Sequence, residues 1–209
     1  MSNRGDFIDL RCTNTATTIS VKFGTSLDEV LSTLSFEQPY PILAARVNNA
    51  YKDLNYKVYK PVTVEFFDIR HFEGYRVYQR TLSFVMQMAS LDVFEGKKLR
   101  IRHSLGSGFY AELDSLHDIS DEQIAALKQR MHDIAARKLP ITRTKRLTEE
   151  LIAEYEVYDF DDRVELLNTR PHLYSTANYL GTMPGFFYGP LAPDSSYVDK
   201  FDIVRYYNG

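Results

Sequence analysis

Near the start of the chain, Ile8, Leu10 and Cys12, then Ile19, Val21 and Phe23, alternate with polar residues on either side of a polar turn. A period of two places such side chains on one face of a strand, so the pattern predicts a hairpin. Leu27, Val30, Leu31 and Leu34 then recur at helical spacing, and Ser26 three residues ahead of Glu29 makes a capping box. "ILAARV" reads as extended, "NN" as a turn and "VTVEFF" as a closing strand. The order ββαβ…β predicts a small sheet clasping one helix.

From Glu73 the period lengthens. Val77, Thr81, Phe84, Val85 and Met88 share one face of a long helix in "YRVYQRTLSFVMQMASL", which has no internal Gly or Pro. "KKLRIRHS" alternates as a strand, "GSG" interrupts it and "FYAEL" resumes it. Ser120 and Gln123 cap a second helix that carries Ile124, Leu127, Met131 and Ile134 on one face, with Pro140 as its stop. A strand "ITRTKRL", two short acidic helices over 149–155 and 161–168, and a last strand "FDIVRYY" complete the pattern. The abrupt change at 68–73 divides an α+β chain into domains 1–68 and 69–209, with no repeat or low-complexity linker between them.

Composition narrows the classes. Of 209 residues, 44% are hydrophobic and 25% charged, ordinary globular usage that favours neither disorder nor a fibrous repeat. A net charge of -3 gives no global pull toward nucleic acid but leaves room for a local patch. No apolar run reaches membrane-spanning length and the first residues lack a signal-peptide core, so a cytoplasmic protein with no membrane partner is expected. A single cysteine excludes an intrachain disulfide and a Cys-rich zinc site, and the alternation around Cys12 makes it a buried thiol. Residues 128–146 hold seven basic side chains against one acidic, Asp133, and the balance reverses over 149–165. Strand alternation puts Lys98, Arg100 and Arg102 on one face, where they could meet phosphates of RNA or a nucleotide. The alternative is that basic and acidic segments pair within the domain.

The hairpin, "GTSLDEVL" and "AARVNNAYKDLNYKVYKPVTVEFF" make residues 7–68 resemble a TGS domain, the ubiquitin-like β-grasp fold at the front of threonyl-tRNA synthetases and in some GTPases. "HSLGSGFYAELD…ISDEQIAALKQRMHDIAARKLPITRTKRL" makes the remainder similar to the editing domain that follows TGS in those synthetases and is shared with alanyl enzymes. The resemblance implies a hydrolytic centre built from an H-x-x-x-H pair on the first long helix and a Cys and His in a late C-x-G-P-H loop. Counted back from "SGFY", the helix pair falls at Arg80 and Phe84; counted from Gly189 and Pro190 in "FFYGPLAPDS", the loop pair falls at Phe187 and Leu191. A guanidinium stays protonated at physiological pH, and phenyl and isobutyl groups cannot ionise. The resemblance therefore implies an aromatic-lined pocket with no catalytic residue and no metal, formed by Arg80, Phe84, His103, Gly106, Gly108, Phe187, Tyr188 and Leu191.

Other features have plainer readings. His103 beside the Gly-rich turn is the candidate for a relocated hydrolytic centre, and sequence spacing gives it no partner. Asp68, His71 and Glu73 in "DIRHFE" could form a metal cluster, although mixed groups of this kind arise readily at domain junctions. "GSG" lacks the Lys and Ser/Thr of a P-loop and precedes a strand, so it reads as a hairpin turn. The tandem pair also resembles the N-terminal region of bacterial uridine-kinase-like nucleoside kinases. That resemblance implies a non-catalytic module binding a nucleotide, nucleoside or RNA, with an attached or partner kinase domain. The chain itself then needs no cofactor, ATP and magnesium belonging to a downstream kinase domain. The alternatives are a trans-editing hydrolase of mischarged aminoacyl-tRNA with an altered centre, and a docking or dimerisation platform.

Overall fold

The computed structural model describes residues 7–106, 108–113, 119–169 and 172–206. They form an α+β chain of two compact units, one of residues 7–78 with Tyr188–Pro193, the other of Gln79–Phe187 with residues 194–206. Each unit is described separately.

In the first unit β1 (Phe7–Cys12) and β2 (Thr17–Lys22) pair as the expected hairpin, with Leu10 opposite Ile19. β3 (Ala44–Val47), β4 (Ala50–Lys52) and β5 (Val62–Phe67) complete a five-stranded sheet in the order β2-β1-β5-β3-β4. β1 runs parallel to β5, and the other pairings are antiparallel. α1 (Leu27–Thr33) begins at Ser26, whose hydroxyl accepts from Glu29 N–H while the Glu29 carboxylate accepts from Ser26 N–H. Two orphan amides of the first turn are thereby satisfied. Leu27 and Val30 on its inner face join Leu10, Cys12, Leu54 and Val64 in one core.

The alternation in the sequence does not predict β4. Asn48 in the "NN" turn takes φ 51°, a left-handed conformation that asparagine tolerates, and the chain folds back against β3 for three residues. Asn48 Oδ1 also accepts from Thr63 N–H at 3.0 Å, which fixes the turn to β5. Cys12 is fully buried, as its alternating position predicts. "DIRHFE" is a helix start. The Asp68 carboxylate accepts three hydrogen bonds from the Arg70 side chain, and His71 Nδ1 accepts from Glu73 N–H at 3.1 Å.

α2 (Phe72–Val93) gives its first turns to the first unit and the rest to the second. The second unit continues with the hairpin β6 (Leu99–Leu105) and β7 (Gly108–Leu113), then α3 (Asp121–Ala136). β8 (Ile141–Leu147), α4 (Thr148–Val157), α5 (Asp161–Asn168), β9 (Tyr174–Leu180) and β10 (Met183–Gly185) follow. β10-β9-β8 is an antiparallel sheet, and every residue of β8 pairs across to β9. α3 has its expected capping box but ends before Pro140. Lys138 turns left-handed at φ 50° and its N–H bonds to the Ala135 carbonyl, and the helix closes at Ala136, four residues before Pro140.

The strand expected at "FDIVRYY" does not form among residues 201–206. Asp202 Oδ1 accepts from its neighbour's amide, Ile203 N–H, and from Lys128 Nζ, while Val204 points outward at 72% exposure. Alternation alone makes no strand where no sheet edge receives it.

Candidate functional site

The helix positions aligned with the editing pair sit on one face of α2, four residues apart. Arg80 is half-buried and Phe84 fully buried. The Phe84 ring lies 4.8 Å from that of Phe187, tilted by 46°, and both press on Gly185 of β10. A Cβ on Gly185 would stand 2.6 Å from two Phe84 ring carbons, closer than real carbons approach, and a tight 3.1 Å from Phe187. Side-chain carbon therefore fills the space beside the helix. Ser83, next in sequence, turns its hydroxyl back to the Gln79 carbonyl at 2.8 Å.

Tyr188 and Leu191 fall in the other unit. Tyr188 is 70% exposed, whereas Leu191 is buried and held by a hydrogen bond from its own N–H to Asp53 Oδ1 at 2.7 Å. Gly189 takes φ 96°, the conformation for which a glycine is needed in this loop. The stretch "FFYGPLAPDS" thus divides between two units.

The rings of His71, His103 and His132 each have an aromatic neighbour. His71 stacks on Phe67 at 4.6 Å, His132 on Phe201 at 4.5 Å, and exposed His103 lies 5.2 Å from Tyr110 across the β6–β7 hairpin. His117 lies outside the described residues. No group of three or more His, Cys, Asp or Glu side chains able to hold a metal occurs among the described residues. Gly106 turns left-handed at φ 59° and Gly108 opens β7, with open space around Gly106.

A second location gathers more chemistry. A cavity of about 310 Å³ is lined by Gln87 and Ser90 of α2, by Lys98, Arg100 and Arg102 on the β6 side, and by Arg163 of α5. The strict alternation of "KKLRIR" breaks here. Ile101 pairs with Ala111 and His103 with Tyr110, so Arg102 is the extra residue of a bulge, and Leu99 and Ile101 line the cavity too.

Arg163 was not singled out in the sequence. It is half-buried, and its Nη1 and Nη2 donate to the Pro184 carbonyl at 3.2 Å and to Gln87 Oε1 at 3.0 Å. Its guanidinium lies 4.0 Å above the Phe160 ring and 5.6 Å from that of Tyr155. Burial pulls its pKa below the ordinary arginine value, and it remains a cation at physiological pH. Phe160, three residues earlier at the N-cap of α5, was the available signal.

The pairing expected between the two charged segments is met in part: among the described residues, Arg146 is the residue of 128–146 that forms an ion pair with an acid of 149–165. Lys98 meets Asp161 at 2.7 Å, Arg102 meets Glu112 at 2.6 Å, and Lys128 meets Asp202 at 2.6 Å. Arg146 of β8 bridges Glu150 and Glu154 of α4, and the Tyr179 hydroxyl donates to Glu154 at 2.5 Å. Arg143 and Lys145, also on β8, are exposed and form no ion pair among the described residues. Lys145 lies 4.9 Å over the half-exposed Tyr174 ring of β9.

No described helix is long and apolar enough to cross a membrane. No family model matches the chain. It is 28% identical over 182 residues to the threonine-tRNA ligase of Syntrophomonas wolfei, covering 87% of this chain and 29% of that protein. Against the threonine-tRNA ligase of Chlorobium phaeobacteroides identity is 27% over 199 residues, covering 90% and 30%. Against that of Rubrobacter xylanophilus it is 25% over 185 residues, covering 88% and 29%. Over most of its length the chain is therefore related in sequence to threonine-tRNA ligases, and it spans less than a third of the length of these relatives.

Proposed function

We propose that this chain is a non-catalytic RNA-binding module of threonyl-tRNA synthetase ancestry. In this reading residues 1–68 are a β-grasp domain of TGS type, and 69–209 an editing-like domain whose hydrolytic centre has become core. The observation that carries it is the Phe84 ring seated against Gly185 and Phe187, at positions where the resemblance implies an imidazole and a thiol. Neither ring can accept a proton, ligate a metal or attack an ester. The mixed five-stranded sheet with α1 capped against it suits the first assignment.

The RNA contact is placed on the exposed face of β8. Arg143 and Lys145 share that face at strand spacing, and the Tyr174 ring beside Lys145 offers a stacking surface. The partner is tRNA, the substrate named for the ligases it resembles. Fluorescence titration with tRNA across a salt series tests this. Arg143→Ala with Lys145→Ala should weaken binding and lower the slope of log K against log salt by about 2 units. Unaltered affinity and slope in the double variant would remove the assignment.

One observation favours a hydrolase as second reading. His103 faces Tyr110 across the hairpin, beside Glu112, whose carboxyl is held below its ordinary range by a hydrogen bond from Arg102 first and one from Tyr110 next. A centre at His103 predicts deacylation of mischarged tRNA that disappears in His103→Ala. Attachment to a nucleoside kinase has the sequence resemblance alone behind it; ATP and magnesium would belong to that domain.

A further inference from the structure

Arg163 carries a positive charge that no described carboxylate neutralises by direct contact. Its hydrogen bonds go to two neutral oxygens, the Pro184 carbonyl and Gln87 Oε1, and among the described residues it forms no ion pair. The Phe160 and Tyr155 rings offset part of the cost of removing it from water. A half-buried guanidinium that cannot release its proton is best compensated by an anion, and this one opens onto the cavity beside α2 and β6.

We propose that this cavity binds a nucleoside monophosphate through its phosphate, with Arg163 as the anchoring cation. The planar fork of a guanidinium matches two phosphate oxygens. Lys98 and Arg102 line it too, and among the described residues their ion-pair partners are Asp161, 86% exposed, and the half-buried Glu112. Such pairs are weak and can exchange for a ligand phosphate.

The remainder of the cavity suits a nucleoside. A volume of about 310 Å³ is roughly ten times that of a water molecule in the liquid, so a bare phosphate would leave most of it unfilled. Leu91, Leu99 and Ile101 supply an apolar wall for a base. The Gln87 oxygen is taken by Arg163, which leaves its amide NH₂ as a donor. The Ser90 hydroxyl donates to the Gln87 carbonyl at 2.8 Å and keeps acceptor capacity for a sugar hydroxyl. Asp162, the one carboxylate in the lining, can accept from a ribose hydroxyl and repels a longer phosphate chain. This ligand would bind whether or not the face of β8 holds tRNA, so the inference goes beyond the RNA-binding reading.

Calorimetric titration of the full chain at low salt with AMP, UMP, adenosine, uridine and inorganic phosphate tests it. One or both monophosphates should bind with 1:1 stoichiometry and a Kd below about 1 mM. The matching nucleoside and inorganic phosphate should bind at least about tenfold more weakly, a difference of 1.4 kcal/mol. Arg163→Gln should weaken the monophosphate about tenfold or more. Because Arg163 also holds Pro184, Arg102→Gln is the companion variant: it should weaken binding severalfold while its circular-dichroism spectrum and Tm stay those of the parent. Equal binding of nucleoside and monophosphate, no monophosphate binding below 1 mM, or parental affinity in both variants would overturn the proposal.

Discussion

The contact between Phe84 and Gly185 can be tested by a double-mutant cycle. In Gly185→Ala the new methyl carbon would lie 2.6 Å from Phe84 Cε2 and Cζ and 3.1 Å from Phe187. Phe84 is fully buried, so its ring cannot swing into solvent, and the overpacking should cost about 1–3 kcal/mol. Gly185 lies outside the left-handed residues, so alanine carries no backbone penalty there and gains roughly 0.4–1 kcal/mol through the unfolded chain. Phe84→Ala alone should cost about 3–5 kcal/mol by emptying the space. Once the Phe84 ring is gone only the 3.1 Å approach to Phe187 remains, and that ring can move into the vacated space, so Gly185→Ala in the Phe84→Ala background should be neutral or stabilising. The unfolded-chain gain is the same in both backgrounds and cancels, so the cycle predicts a coupling equal to the overpacking cost, about 1–3 kcal/mol, read from urea unfolding midpoints at constant m-value. Additivity within about 0.5 kcal/mol would refute the filled-space account.

Two further outcomes follow from single residues. Tyr155 is fully buried and its hydroxyl has no hydrogen-bond partner among the described residues, so Tyr155→Phe should raise stability by about 1 kcal/mol or more in urea unfolding. Burial pushes the Tyr155 phenol up to about 12, above its ordinary value of 10.0. Its contribution is therefore present in full below pH 10 and is lost as pH rises toward 12; the parent should lose more stability across that window than Tyr155→Phe. Gly74→Ala places a methyl carbon 2.0 Å from the Asp68 carbonyl oxygen at the start of α2, which should lower Tm by several degrees despite the better helix propensity of alanine. An unchanged or raised Tm would contradict the close approach there.

The parts of the fold legible in the sequence are those fixed by local chemistry. Ser26 with Glu29 and Ser120 with Gln123 announce α1 and α3 because a capping box is complete within four residues. β9 escaped because Ala177 and Asn178, adjacent in "YSTANYL", are both buried, which spoils the alternation, and because its partner β8 is some thirty residues away. "FDIVRYY" misled for the opposite reason: it alternates well, but Asp202 satisfies its own neighbour's amide and Lys128 instead of supporting a ladder. At the candidate site, the sequence locates Phe84 and Phe187 by spacing from recognisable turns. It does not reveal that Gly185 receives both rings, since that depends on how β10 returns alongside β9. Arg163 stayed hidden within an acidic helix, "DDRVELLN", where its charge looks like ordinary solvated balance until Phe160, Gln87 and Pro184 are seen around it.

Single-turnover deacylation of mischarged threonine tRNA, with the protein in excess over RNA, tests the central claim most directly. With Phe84 and Phe187 filling the helix-side space, the aminoacyl ester should decay at its spontaneous rate even when the RNA is fully bound. Acceleration of about a hundredfold or more, the contribution expected from one positioned acid or base, would contradict it.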